Sequence, residues 1–183
     1  MESLFFVALL PPASISTDID QIRKQCSLDY EVYAALKPPV HITLIPPFKI
    51  DSTLEGKLIS DLECCRNFSA FEQELHNYDG FPKKVIYIKA IKNVGITQLY
   101  KILKTRVKPY ISDLGSIDPH ITIAYRDVDE HAYEKIIEAY NKKRFQASFS
   151  VHKFTLLKHD GKKWNLFKEF ESRPSGKQFS MDF

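Results

Sequence analysis

Two tetrapeptides in this chain carry the same chemistry: His41-Ile42-Thr43-Leu44 and, 79 residues further on, His120-Ile121-Thr122-Ile123. Side chains alternate across a strand, so each imidazole shares a face with the threonine two positions later. Ile42, Leu44, Ile121 and Ile123 then point the other way, into a core. Brought together, the two copies make a site with two titratable histidines and two hydroxyl donors. An ordinary imidazole pKa of about 6.5 lets one ring hold a proton while the other accepts one near neutrality. Two such rings beside a phosphate ester are the apparatus of general acid and general base catalysis. The hydroxyls of Thr43 and Thr122 would donate to the non-bridging oxygens, where negative charge accumulates.

The elements that must position these residues recur as well. Leu4–Leu10 is an apolar run bounded by Pro11-Pro12 and reads as a buried strand. Ser14 or Ser16 can cap a helix carrying Ile15, Ile19, Ile22 and Cys26 at helical spacing. Lys37-Pro38-Pro39 breaks the chain, Val40–Ile45 is a strand, and Pro46-Pro47 is expected to end it. Asp51 or Ser52 caps a helix with Leu54, Leu58, Leu62 and Cys65 on one face. Phe71–Tyr78 then reads as a strand and Asp79-Gly80 as a turn.

The order now begins again. Val85–Ile91 is a strand; Ile96, Leu99, Ile102, Leu103 and Val107 mark a helix; Ile121–Tyr125 is a strand. Asp127 or Asp129 caps a helix with Ala132, Ile136, Ile137 and Tyr140, and Phe145–Val151 closes the series. From first strand to histidine is 37 residues in one half (Leu4 to His41) and 35 in the other (Val85 to His120). A proline precedes each histidine closely, Pro39 and Pro119. The motifs therefore occupy corresponding positions in a strand–helix–strand–helix–strand unit written twice. Phe154–Lys158 and Trp164–Phe170 flank Asp160-Gly161 as a hairpin. We expect one domain over 1–183, with lobe halves of approximately 1–80 and 81–171 and a loose tail at 172–183.

The bulk numbers exclude several classes. A chain of 183 residues that is 44% hydrophobic and 27% charged can bury its own core. A net charge of +3 is too small for bulk nucleic-acid binding and tilts the expectation toward small or short substrates. Cys26, Cys64 and Cys65 are odd in number, two of them adjacent, and read as buried helical thiols and not as disulfides. Met1–Leu10 lacks a basic leader and is too short for a membrane span. A cytoplasmic protein with no membrane and no protein partner is the expectation. Neither motif offers a third ligand at metal-binding spacing, and no Gly-rich phosphate loop is present, so neither metal nor cofactor is expected.

The paired motifs, their spacing and the element order resemble the two-histidine (2H) phosphoesterase superfamily, which includes LigT-type RNA 2′,5′-ligases and cyclic phosphodiesterases. The resemblance runs from Leu4 to about Phe170. It implies an α+β fold with a pseudo-twofold axis: two antiparallel sheets with outer helices, enclosing a cleft lined by both motifs. It also implies a metal-independent phosphodiesterase that hydrolyses the 2′,3′-cyclic phosphate of a nucleotide, an RNA end or an ADP-ribose derivative. His120 would be the base that activates water, and His41 the acid at the leaving oxygen. Reversible 2′–5′ RNA ligation by the same residues is the enzymatic alternative, and a non-catalytic nucleotide-binding module the other. Phe48 and Tyr125, each just past a motif, are candidates to stack on a base or to serve as core or rim aromatics. Arg126, Lys49 and Lys158 are candidate phosphate cations or plain surface charges. Trp164 reads as packing, and His76, His131, His152 and His159, without a following threonine or serine, as surface or core groups.

Overall fold

Strand β1 (Glu2–Leu9) shows how one sequence period serves two purposes. Its Phe5, Val7 and Leu9 enter the main core, while Phe6 and Ala8 form a separate cluster with Leu157 on the opposite face. That second face looks into the cleft described below. The computed structural model describes residues 1–174 as an α+β fold with eight strands and four α-helices. Strand β2 (Ile42–Asp51) pairs with β1 on one side, and β7 (Lys153–His159) and β8 (Trp164–Glu171) follow on the other, giving the order β2-β1-β7-β8. The second sheet, built from β3 (Phe71–Phe81), β4 (Val85–Ala90), β5 (His120–Tyr125) and β6 (Gln146–Val151), has the order β5-β4-β3-β6. All neighbours are antiparallel.

Each motif strand is the edge of its sheet and lies against a central strand. Thr43 stands opposite Ala8, and Thr122 opposite Tyr87. Past the threonine both ladders slip by one residue, so that Val7 faces Ile45 and Ile86 faces Ala124. An extra residue of this kind twists the strand and re-aims the side chains around it. The duplication thus reaches down to matching backbone irregularities.

The helices are α1 (Ala13–Tyr30), α2 (Glu55–Glu63), α3 (Val94–Val107) and α4 (Glu130–Asn141). Asn93 and Asp129 cap α3 and α4, accepting from the N–H of Ile96 at 3.0 Å and Ala132 at 2.7 Å. No side chain caps α1; the Ser16 hydroxyl instead donates back to the Pro11 carbonyl at 2.9 Å. Asp51 caps a short 3₁₀ turn, Ser52–Leu54, ahead of α2, and Leu54 is 40% exposed and off the buried stripe of Leu58 and Leu62. No helix among the described residues is long and apolar enough to cross a membrane.

Four expectations need correction. The prolines 46 and 47 do not end β2, which runs on to Asp51; an edge strand has one side free of ladder bonds, so a missing N–H is tolerated there. Asp79-Gly80 is not the turn either. Both residues lie in β3, the chain reverses at residues 82–84, and Lys83 takes the left-handed φ of 64°. Gly80 is there because a Cβ would run into the Tyr133 phenol. The sheets also do not follow the two sequence halves: β3 joins β4, β5 and β6, while the β7–β8 hairpin completes the first sheet. Finally, Cys64 is exposed and follows α2 in a 3₁₀ turn; burial pushes the other thiols up, Cys26 to about 11 and Cys65 to about 12. Of the expected tail, Ser172 and Arg173 are tied down by bonds from their N–H groups to the carbonyls of His152 and Arg66, both 2.7 Å, and 175–183 lie outside the described residues.

Candidate active site

His41 immediately precedes β2 and His120 opens β5. Each imidazole folds back on its own chain: Nδ1 of His41 lies 2.7 Å from the Pro39 carbonyl, and Nδ1 of His120 lies 2.7 Å from the Asp118 carbonyl. A carbonyl oxygen only accepts, so the proton of each neutral ring is fixed on Nδ1. Nε2 is left as the working nitrogen in both. At the second site the accepting carbonyl belongs to the residue before a proline, Asp118 before Pro119, a position biased toward extended backbone; at the first it is the carbonyl of Pro39 itself, in a bent segment.

Aromatic rings hold the imidazoles from the side. Phe6 packs on His41 with centroids 4.9 Å apart; Phe81 and Tyr87 pack on His120 at 5.1 and 5.0 Å. A cleft of ≈ 610 Å³ takes His41 and Thr43 from the first motif and Ile121 and Thr122 from the second. The His120 ring, packed on Phe81 and Tyr87, is not itself part of that lining, but its charge is felt at His41.

The segment that delivers His41 is anchored from two directions. Arg23, only 2% exposed on α1, donates from its guanidinium to the carbonyls of Ala35 and, at 2.7 Å, Pro38. Its Nε has no partner among the described residues, and the side chain lines the cleft. From the turn after β5, the Asp127 carboxylate accepts the N–H groups of Tyr33 at 2.7 Å and Ala34 at 2.9 Å. Between Tyr125 and Asp127 the chain turns tightly: Arg126 has φ 64°, Asp127 N–H donates to the Tyr125 carbonyl at 2.8 Å, and the Arg126 guanidinium lies 5.2 Å over the Tyr125 ring. A non-glycine residue at positive φ is held there at some cost, and such positions gather at working sites.

Burial lowers the His41 imidazole from 6.5 to about 4. The Pro39 hydrogen bond pulls upward, and the positive charges of Arg23 and His120 add to the lowering. The folded protein therefore binds fewer protons than the unfolded chain between these values. Its stability must fall as pH drops from about 6.5 to about 4. Urea midpoints of the parent and a His41→Asn variant across that interval should diverge, the variant losing less; parallel curves would refute a His41 held neutral by folding.

Of the aromatics expected to contact substrate, Tyr125 lines the cleft and Phe48 does not. Phe48 is 5% exposed and packs in the core against Phe5 and Tyr110. Lys49 and Lys158 are committed to Glu2 (3.0 Å) and Glu55 (2.7 Å), while Arg126 does reach the cleft. Trp164 and His159, read from sequence as packing and surface groups, also line it, with Lys37, Lys162 and Lys163. Arg23 carries a sequence signal: it sits in the buried stripe Ile19–Arg23–Cys26, where an arginine needs a reason.

Twin histidine–threonine strands on two antiparallel sheets are the arrangement expected of the two-histidine phosphoesterase superfamily. The chain belongs to the 2′-5′ RNA ligase superfamily, whose family model matches residues 11–163. Solved structures with the same fold include E. coli LigT in apo form (20% identity, TM-score 0.66, covering 94% of this chain and 98% of that one). LigT complexed with 3′-AMP matches at 18% identity and TM-score 0.67, covering 94% and 99%. The protein TT0787 of Thermus thermophilus matches at 16% and 0.68, covering 94% and 100%. A search of curated proteins gives no match.

Proposed function

We propose that this protein is a metal-independent phosphodiesterase that opens the 2′,3′-cyclic phosphate of a nucleotide or RNA end. The observation that carries the reading is the mirrored pair of imidazoles, each with Nδ1 tied to the carbonyl two residues back and each followed by a threonine on the cleft. Water attacks phosphorus, one Nε2 takes its proton, and the bond from phosphorus to one ribose oxygen breaks. The second imidazole, protonated, delivers a proton to that oxygen, leaving a phosphomonoester. Thr43 and Thr122 donate to the non-bridging oxygens, and the unpartnered Nε–H of Arg23 is a further donor on the same wall.

His41, held neutral far below pH 7, has the protonation state of the base in the free protein, which leaves the acid role to His120. This is the reverse of the polarity that the family resemblance implies. With the 5′-hydroxyl of a second strand in place of water, the same groups in the same roles perform 2′–5′ ligation: the base takes the hydroxyl proton, the 5′ oxygen bonds to phosphorus, the bond to the 3′ oxygen breaks and that oxygen is protonated. LigT, solved with 3′-AMP, favours a nucleotide phosphate as the ligand class here too. Among the described residues no cluster of three or more His, Cys, Asp or Glu is placed to hold a metal. The test is a panel of 2′,3′-cyclic nucleotides, cyclic-phosphate RNA ends and 2′–5′ oligomers assayed in EDTA. Turnover of the cyclic phosphates in EDTA is expected; loss of all activity to the chelator sinks the metal-free mechanism.

A further inference from the structure

The cleft is basic out of proportion to the chain. Its lining includes Arg23, Lys37, Arg126, Lys162 and Lys163 but no Asp or Glu, whereas the whole chain has 26 basic and 23 acidic residues. Among the described residues no ion pair engages Lys37, Arg126, Lys162 or Lys163. Unneutralised like charges facing one concavity repel each other and focus the field on an anionic ligand.

The two lysines of the β7–β8 turn are set apart from the motifs. Along β1, Thr43 stands opposite Ala8 and His159 opposite Leu4. Four strand residues are ~13 Å, so the threonine and the turn face different parts of a ligand. Rings fill the interval: Phe6 touches His41 at 4.9 Å and meets Trp164 edge-on at 4.5 Å, and Trp164 directly follows Lys163. The turn has a fixed shape. The Asp160 carboxylate accepts the N–H groups of Lys162 and Lys163 and the Asn165 amide, each at 2.8 Å. Its oxygens are thus engaged by backbone and amide donors, and both lysine side chains stay exposed.

The geometry points to a second anion subsite at this turn: Lys162 and Lys163 receive the 5′-phosphoryl group of a nucleoside whose cyclic phosphate lies between the two motifs. This rests on the phosphodiesterase reading. The nucleoside spans the Phe6–Trp164 floor, with one phosphate at either end. The class is a nucleoside 2′,3′-cyclic phosphate bearing a second phosphate on its 5′ oxygen, whether a free nucleotide or the last residue of an RNA.

Calorimetric titrations with 3′-AMP, adenosine 3′,5′-bisphosphate and the dinucleotide ApA 3′-phosphate test the subsite without turnover. In the parent protein the second phosphate should tighten Kd about tenfold, as two charge-assisted contacts at an exposed rim allow. That gain should vanish in Lys162→Ala/Lys163→Ala and persist in Lys142→Ala, which removes a cation just past the C-terminus of α4 instead. A gain for the bisphosphate alone identifies a free nucleotide, and a gain for the dinucleotide an RNA end. No gain in the parent, or a gain that survives the double substitution, overturns the subsite. Hydrolysis of 2′,3′-cyclic AMP is scored separately: its absence alongside an intact gain sinks the phosphodiesterase reading alone.

Discussion

Replacing either His41 or His120 by alanine should lower kcat for cyclic-phosphate opening roughly a thousandfold, the usual scale for losing a positioned acid or base. The double variant should be little worse than either single one, because the two groups act in one step. Folding should survive, since both rings sit beside a cleft and their Nδ1 bonds go to carbonyls near the surface. A substrate in which sulfur replaces the leaving ribose oxygen separates the roles, because a thiolate departs without a proton. Such a substrate should restore much of the rate of His120→Ala and little of that of His41→Ala. The opposite pattern would hand the base role to His120; wild-type rates in either alanine variant would end the two-histidine mechanism.

Arg23→Met should be the most damaging change outside the motifs. It leaves the carbonyls of Ala35 and Pro38 without their donor in a buried setting, a loss of about 3 kcal/mol of folding stability. It also removes a positive charge that lowers the His41 pKa, so the acid limb of kcat/KM should move to higher pH. Arg23→Lys keeps the charge but loses the forked reach to two carbonyls. It should destabilise the protein while leaving that limb nearer its original place. Urea melts and pH profiles of the two variants decide the matter; a methionine variant with parent stability and parent profile would strip Arg23 of its role.

The candidate site was legible in the sequence because it is local: a histidine and a threonine two apart on a strand share a face whatever the rest of the chain does. The helices were legible through their apolar stripes. What escaped depends on contacts between distant residues. Whether β3 pairs beside β1 or β4 is a question of sheet closure, to which its own residues are indifferent. Phe48 was misplaced for a more instructive reason. Carried through Pro46-Pro47, the alternation of Ile42 and Leu44 puts Phe48 and Ile50 on the core face, and only a strand cut short at the prolines hides it. Gly80 looks like a turn residue until Tyr133, more than fifty positions away, is seen against it. The basic cleft was invisible to a net charge of +3, since that figure says nothing of where charges gather.

The interleaving of the sheets has a consequence for how the protein is made. Strands β3 to β6 are contiguous in the chain, so the second sheet is complete once residue 151 has been synthesised. The first sheet must wait for β7 and β8, because until then β1 presents a bare edge beside β2. An unpaired strand as apolar as Phe5-Phe6-Val7-Ala8-Leu9 is a template for association with other chains. On the ribosome the free edge of β1 therefore stays bare for about a hundred residues of synthesis, from the end of β2 at Asp51 to the start of β7 at Lys153. Trp164, Lys162 and Lys163, which furnish one wall of the cleft, arrive with the hairpin that closes that edge. Completion of the binding wall and protection against aggregation are therefore a single late event in translation.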